Sequence, residues 1–194
     1  MNKIKDNRDY MKFRWFFTSS GKLVVGGKSD ELNERVLREY LNPKYVVCHT
    51  SEPGSPFMII VSYKIDKKDI EEAAIFCACF SKQWKFGKKI ISIDIFKRGQ
   101  IHKLKSMKTG TFGVKGKVEK IQVKPELALV IQKGKIRAVP KNTREEIICR
   151  IIPGNLKKEE ACSKILKIIK DKYHLPISKD EIMAAIPSDN LDVK

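Results

Sequence analysis

Between residues 82 and 124 the chain carries 13 Lys or Arg and only two acids, Asp94 and Glu119. The 194 residues together hold 40 basic and 23 acidic side chains, a formal net charge of +17, so this one stretch supplies most of the excess. Its central part, residues 97–117, reads KRGQIHKLKSMKTGTFGVKGK, with lysines interleaved among Gly, Thr and Ser. Exposed ammonium groups track phosphates, and glycine-flanked amides add hydrogen bonds to phosphate oxygens. The contacts expected here are Lys82, Lys85, Lys88, Lys89, Lys97, Arg98, Lys103, Lys105, Lys108, Thr109, Lys115 and Lys117. Trp84 lies beside them, with a ring suited either to stacking on an unpaired base or to packing on a sheet. A lysine-rich face that only keeps the protein in solution is the competing reading.

A second constellation is the loop HTSEPGSP at residues 49–56, bounded by apolar runs. His49 at a strand end suits a phosphate or ribose, or a hydrogen bond to its own loop backbone. With Glu52 and Ser55 it is the one group that resembles a catalytic centre, as of an enzyme or enzyme accessory acting on RNA. The evidence for chemistry is thin. Cys48 and His49 are adjacent, so on a strand they point to opposite faces and form no nucleophile–base pair. No third or fourth ligand is spaced to join His49 and Glu52 around a metal. No GxxxxGK[ST] or GxGxxG occurs. The expectation is a binding protein with no catalytic residue, no cofactor and no metal.

These residues need a scaffold, and the pattern describes an α+β protein: a mixed, mostly antiparallel sheet flanked by helices, with a smaller α+β appendage. Residues 1–12 read as an arm and residues 13–124 as the main domain. The appendage is residues 125–194, past a soft boundary near Lys124. Phe13, Trp15 and Phe17 share one side of a first strand, with Arg14 and Phe16 on the other. A Ser-Ser-Gly turn leads to a second strand, then to Gly26-Gly27 and a helix capped by Ser29 or Asp30. Arg14, Lys28 and Asn33 sit where this hairpin could border an anion site. Leu32, Val36, Leu37, Tyr40 and Leu41 fall on one helical face. Asp69 and Glu72 form a capping-box pattern ahead of an apolar helix at 73–80, whose lysine-rich end suits the helix dipole. Residues 111–123 read as one strand with a bulge near Glu119-Lys120. Beyond Lys124 a hairpin at 127–139, a strand at 147–152 stopped by Pro153-Gly154, and helices at 157–172 and after Ser178 are expected.

The five cysteines form no CxxC pair and lie mostly in apolar runs, as reduced core residues of an intracellular protein would. No signal peptide opens the sequence, and no run approaches the roughly 18 apolar residues of a membrane span. The expected localisation is cytoplasmic. A basic surface docking on acidic proteins or anionic membranes is a further alternative.

The chain resembles the NFACT-R domain family, the RNA-binding module of the NEMF-like and bacterial RqcH-like ribosome quality-control factors. The resemblance rests on four ordered stretches: FRWFFTSSGKLVVGGKSDELNE, YVVCHTSEPGSPFMII, EEAAIFCACFSKQW and KTGTFGVKGK. Together they span roughly residues 11–124. They place Gly26, Gly27, Asn33, His49, Trp84, Thr109, Gly110 and Gly116 at the family's characteristic positions. The further domains of the full-length factors are absent, and the sequence looks more like a stand-alone microbial branch. The resemblance implies RNA binding, to tRNA or rRNA, with the ribosome as a partner. Arg14, Asn33, His49 and Ser55 would line a groove beside the lysines. Residues 125–194 lie outside it.

Overall fold

The computed structural model describes residues 8–194, so the first seven residues of the expected arm lie outside the described residues. Arg8–Lys12 is a 3-10 turn, and Tyr10 meets Trp15 and Phe17 edge-on at 5.2 and 5.8 Å. Strands β1 (Arg14–Phe17) and β2 (Leu23–Gly26) form the hairpin, with Gly21 at φ 82° in its loop. Alternation along β1 sends Trp15 to one core, beside Phe13, and Phe16 to the other. Ser29 caps α1 (Asp30–Glu39) by accepting the Leu32 N–H. Val36 and Leu37 are buried, but the helix stops at Glu39, so Leu41 leaves the expected face and is 64% exposed.

Strands β3 (Val46–Thr50) and β4 (Met58–Ile60) flank the 51–57 loop and lead to α2 (Lys67–Cys79). The helix starts a turn earlier than the sequence suggests, on a capping box made by Asp66 and Asp69. Glu72 is taken instead by the hairpin turn: Ser19 donates its N–H at 2.7 Å and its hydroxyl at 2.5 Å to that carboxylate. Thr18 and Ser20 donate to Asp69. Burial pushes Asp69 up, yet the hydroxyl donors outweigh it and hold its carboxyl below the usual value; for Glu72, burial wins and the pKa rises.

The apolar helix breaks at Phe80, and Ser81 caps a separate turn, α3 (Lys82–Lys85). Lys82 therefore opens a helix rather than ending one, and of the four lysines Lys85 ends that single turn while Lys88 and Lys89 lie beyond it. Strands β5 (Ile91–Lys97), β6 (Ile101–His102), β7 (Gly113–Val114) and β8 (Glu119–Val123) come next. The single bulged strand expected over 111–123 is two strands, β7 pairing with β6 and β8 with β5. The chain turns between them at Gly116, where φ is 83°, and Gln100 bonds the carbonyls of Lys115 and Lys117 at 2.7 and 2.8 Å.

The first sheet runs in the order β1-β2-β4-β3-β5-β8. After it come β9 (Leu127–Gln132), β10 (Lys135–Pro140), β11 (Cys149–Leu156), α4 (Lys158–Lys172), α5 (Lys179–Ala185) and β12 (Leu191–Val193). These strands form a second sheet in the order β10-β9-β11-β12, and every ladder in the described residues is antiparallel. Strand β11 continues through Pro153-Gly154, because β12 pairs with it across a register shift between Pro153 and Leu156. Helix α5 opens on the expected Ser178–Glu181 capping box. The protein is α+β.

Helix α2 is buried all round from Ala73 to Cys79 because it lies between the sheets, so one apolar core crosses the boundary expected near Lys124. A second core, around Phe13, Trp15, Val36 and Phe57, lies on the opposite face of the first sheet under α1. At the seam, side chains close the outer edge of β1. Gln132 bonds both the N–H and the C=O of Phe17 at 2.9 Å, and Arg137 donates to the Trp15 carbonyl at 3.2 and 2.8 Å. All five cysteines are unpaired and buried, and burial pushes their thiols up. Among the described residues no helix is long and apolar enough to cross a membrane.

Candidate nucleic-acid interface

The end of β3, the start of α1 and the segment at 109–114 enclose a cleft of about 450 Å³, lined by Asp30, Asn33, His49, Ser55, Lys82, Thr109 and Gly110 among others. Three remote segments meet here, and close backbone approach holds them. A Cβ on Gly27 would come within 2.3 Å of Asn33 Oδ1 and 2.4 Å of its backbone nitrogen. Asn33 Oδ1 accepts the Phe57 N–H at 3.3 Å, which ties α1 to β4. Gly110 has φ 79° and donates its N–H to Glu34 at 3.0 Å; a Cβ there would press Asp30 at 2.7 Å. The loop between β3 and β4 is locked as well: Ser55 Oγ accepts the Thr50 N–H at 2.9 Å.

His49 lines this cleft with its ring tilted against Phe57 at 4.5 Å, and Phe57 in turn meets the Phe112 ring edge-on at 5.4 Å. Its Nδ1 lies 2.8 Å from the Thr50 carbonyl oxygen. A carbonyl only accepts, so Nδ1 carries the hydrogen. Burial lowers the His49 pKa, against smaller raising effects from Thr50 and Asp94. The neutral ring therefore leaves Nε2 as an acceptor. It suits a hydroxyl or amine donor rather than a phosphate oxygen.

Residues 12–116 match the family model described as the NFACT protein RNA binding domain. The chain belongs to that family. It is 26% identical over 203 residues to the archaeal Rqc2 homolog aRqcH of Methanocaldococcus jannaschii, covering 97% of this chain and 30% of the relative. It is 27% identical over 115 residues to the human ribosome quality control complex subunit NEMF, covering 56% of this chain and 11% of that protein. The Drosophila melanogaster NEMF homolog is 28% identical over 115 residues, 56% of this chain and 12% of the relative. The chain thus spans under a third of the length of these relatives. In fold it is similar to the C-terminal part of the fibronectin/fibrinogen-binding protein from Streptococcus suis, with a TM-score of 0.53 at 21% identity over 64% of this chain and 48% of that one.

Within this NFACT RNA-binding domain, the expected phosphate contacts divide by what holds them. Lys105, Lys108, Lys115 and Lys117 are exposed and make no ion pair among the described residues, as do Lys85 and Lys89. Lys97 is exposed at the end of β5. Lys82 reaches the cleft, and Thr109 lies on its exposed lip. Other members are committed elsewhere. Lys103 donates to Glu34 at 2.7 Å and to the Lys108 and Thr111 carbonyls at 2.6 and 3.1 Å, so it pins the loop to α1. Arg98 donates twice to the Leu37 carbonyl, at 3.1 and 2.7 Å. Lys88 pairs with Glu52 at 2.7 Å.

The catalytic reading of the loop finds no geometry to use. Glu52 turns outward to Lys88 and Ser55 is occupied by its own loop, so neither joins His49 as a nucleophile or base. Arg14 lies on the other side of the first sheet from His49, its guanidinium over Phe80 at 4.3 Å, while Lys28 is exposed. For Trp84 the packing role holds, in the core beside the first sheet, and the base-stacking role is corrected. It is 0% exposed and offers no face to a base, whereas Phe86 is 70% exposed among the lysines. Two residues apart at 3.6 per turn is about 200° around a helix, so a one-turn helix can bury only one of the pair. That spacing was the available signal for Phe86.

Proposed function

We propose that the chain is a non-enzymatic RNA-binding protein acting on tRNA or rRNA in a ribosome-associated setting. The cleft takes a ribose and the unpaired lysines take the flanking phosphates. The observation that carries this reading is the pairing of two unlike surfaces side by side. A cleft with a neutral imidazole acceptor borders a loop in which Lys105, Lys108, Lys115 and Lys117 make no ion pair among the described residues. Phosphate contacts supply affinity without discrimination, and an acceptor facing a 2′-hydroxyl is what tells RNA from DNA. Two of the relatives, the human and Drosophila melanogaster NEMF proteins, are named as ribosome quality control complex subunits, which supports the setting.

The test is equilibrium binding of the full chain to tRNA, to rRNA fragments and to DNA of matched sequence across a salt series. RNA binding should weaken steeply with salt and exceed DNA binding. His49→Ala should narrow that difference several-fold, on the order of 1 kcal/mol for one neutral hydrogen bond. Equal affinity for RNA and DNA, unchanged by the substitution, overturns the ribose assignment. Absence of salt-dependent binding to any of these RNAs overturns the function.

A further inference from the structure

A second cleft, of about 570 Å³, opens between the lysine-rich end of the first sheet and β11 of the second. Three segments wall it. Gly87 and Lys89 follow α3, Lys124 and Pro125 join β8 to β9, and Arg150, Ile152 and Pro153 belong to β11. Hydrogen bonds fix the spacing of these walls. Asn190 donates its side-chain N–H to the Lys85 carbonyl at 2.7 Å, and its own carbonyl accepts the Gly154 N–H at 2.9 Å, so the lysine turn is clipped to β11. The register shift between Pro153 and Leu156 bends the strand here, and bulges of this kind re-aim the side chains they carry. It leaves Asn155 exposed on the cleft, with an amide that makes no hydrogen bond among the described residues.

The lining is of two kinds. Pro125 is buried and Ile152 and Pro153 are half-buried, which makes an apolar floor. Lys89, Lys124 and Arg150 are exposed and make a cationic rim. The two lysines have no ion pair among the described residues, and Arg150 meets Glu126 only at 3.8 Å. Glu126, the acidic side chain of the lining, is already held by Lys141 at 3.1 Å, so the rim stays positive. A phosphate alone needs no apolar floor, and an apolar ligand needs no cations. A nucleotide uses both, and the volume falls within the range of sites for ligands of that size. A guanidinium plane stacks on a base, and a free amide offers a donor and an acceptor to the base edge.

We propose that the cleft between the sheets binds one nucleotide with its base unpaired. The base lies on Pro125 and Pro153 under the Arg150 guanidinium, Asn155 meets its edge, and Lys89 and Lys124 take the phosphate. In the RNA complex this nucleotide belongs to a single-stranded stretch that passes Phe86, the exposed ring just ahead of Gly87. Of the residues that make the site, all but Lys89 lie beyond residue 116, where the family match ends. The second sheet thereby reads bases as well as packing on the first. The site rests on the RNA-binding reading for the strand that supplies the nucleotide, but not for its affinity for a nucleotide.

The test compares single-stranded and duplex RNA of one sequence on the full chain, wild type against Lys124→Gln/Arg150→Gln. Single-strand affinity should fall about tenfold, as for the loss of one stacked base, and duplex affinity by no more than about twofold. Asn155→Ala is the second variant; it leaves every charge in place and should still weaken the single strand several-fold with an unchanged Tm. Equal losses on strand and duplex would reduce the cleft to a phosphate contact and overturn the nucleotide site. Single-strand binding that survives both variants also overturns it, and leaves the function proposed above standing. Should the chain bind no RNA, titration with adenosine monophosphate followed by amide NMR shifts decides. Shifts at residues 152–155 that vanish in the double variant support the site, with a free nucleotide as its source, and sink only the RNA function. Their absence sinks both.

Discussion

Residues 82–124 and 125–194 carry almost the same number of cations, 13 and 14, but the second stretch holds 10 acids where the first holds two. In the second, acids interspersed along the stretch bring the excess down to +4 against +11 in the first, and four of its cations are bridged. Glu126 takes Lys141 at 3.1 Å and Arg150 at 3.8 Å, Glu181 takes Lys135 at 3.7 Å, and Asp192 takes Lys164 at 3.8 Å. In the first, Lys88, Lys103 and Lys120 are bridged too, but the loop lysines at 105, 108, 115 and 117 make no ion pair among the described residues. A surface for phosphate is made here by leaving acids out rather than by adding lysines. A lysine among carboxylates gains less from an RNA phosphate, which those acids repel, than one surrounded only by other cations, water and counterions.

Matched substitutions in the two stretches should break that symmetry most visibly. Replacing Lys105, Lys108, Lys115 and Lys117 together by Gln should flatten the salt slope of RNA binding by roughly 3, at about 0.7 per single-strand contact. Replacing Lys167, Lys170, Lys172 and Lys179, which are equally exposed and likewise make no ion pair among the described residues but sit beside Asp171, Asp180 and Glu181, should leave the slope nearly unchanged. Equal slopes for the two quadruple variants would mean that net charge, not its placement, governs binding. A sharper contrast comes from Gln132→Ala, which strips the partners from the Phe17 N–H and C=O. Chemical denaturation should show a loss of about 1–3 kcal/mol, with the RNA salt slope intact. The smallest effect concerns Phe86→Ala. Single-stranded RNA should bind about 1 kcal/mol more weakly while duplex affinity and Tm stay put, as expected of an exposed stacking ring.

What the sequence reveals is what lies close together along it. The Ser29 cap, the glycine at the hairpin loop and the Ser178–Glu181 box depend on neighbours within a few residues, and the structure shows all three. The α2 start was misplaced because Glu72, a plausible capping residue by spacing, is drawn to Ser19, 53 positions away. The lysine stretch was legible as a charge, but not the fate of each side chain. Lys103 is claimed by Glu34 from 69 residues away and Arg98 by Leu37 from 61. No local pattern distinguishes them from Lys105. The cleft was half-legible. Asn33, His49 and Thr109 were singled out in separate stretches, yet their meeting depends on how closely Gly27 and Gly110 let the backbone approach.

The two polar side chains that close the outer edge of β1 also bear on how copies of this protein treat one another. A bare edge strand is a template for any extended segment that drifts past, including the same segment of a neighbouring chain. Gln132 acts as a one-residue mock strand, donating and accepting as a real partner would, and Arg137 takes the next carbonyl. A fragment cut between β8 and β9 would keep all of the matched family region and lose this cover. Its aromatic hairpin, RWFF opposite LVVG, would then present open amides and carbonyls, and the fragment should stick to itself in sheets. On that expectation, the second sheet serves the first as a guard against polymerising.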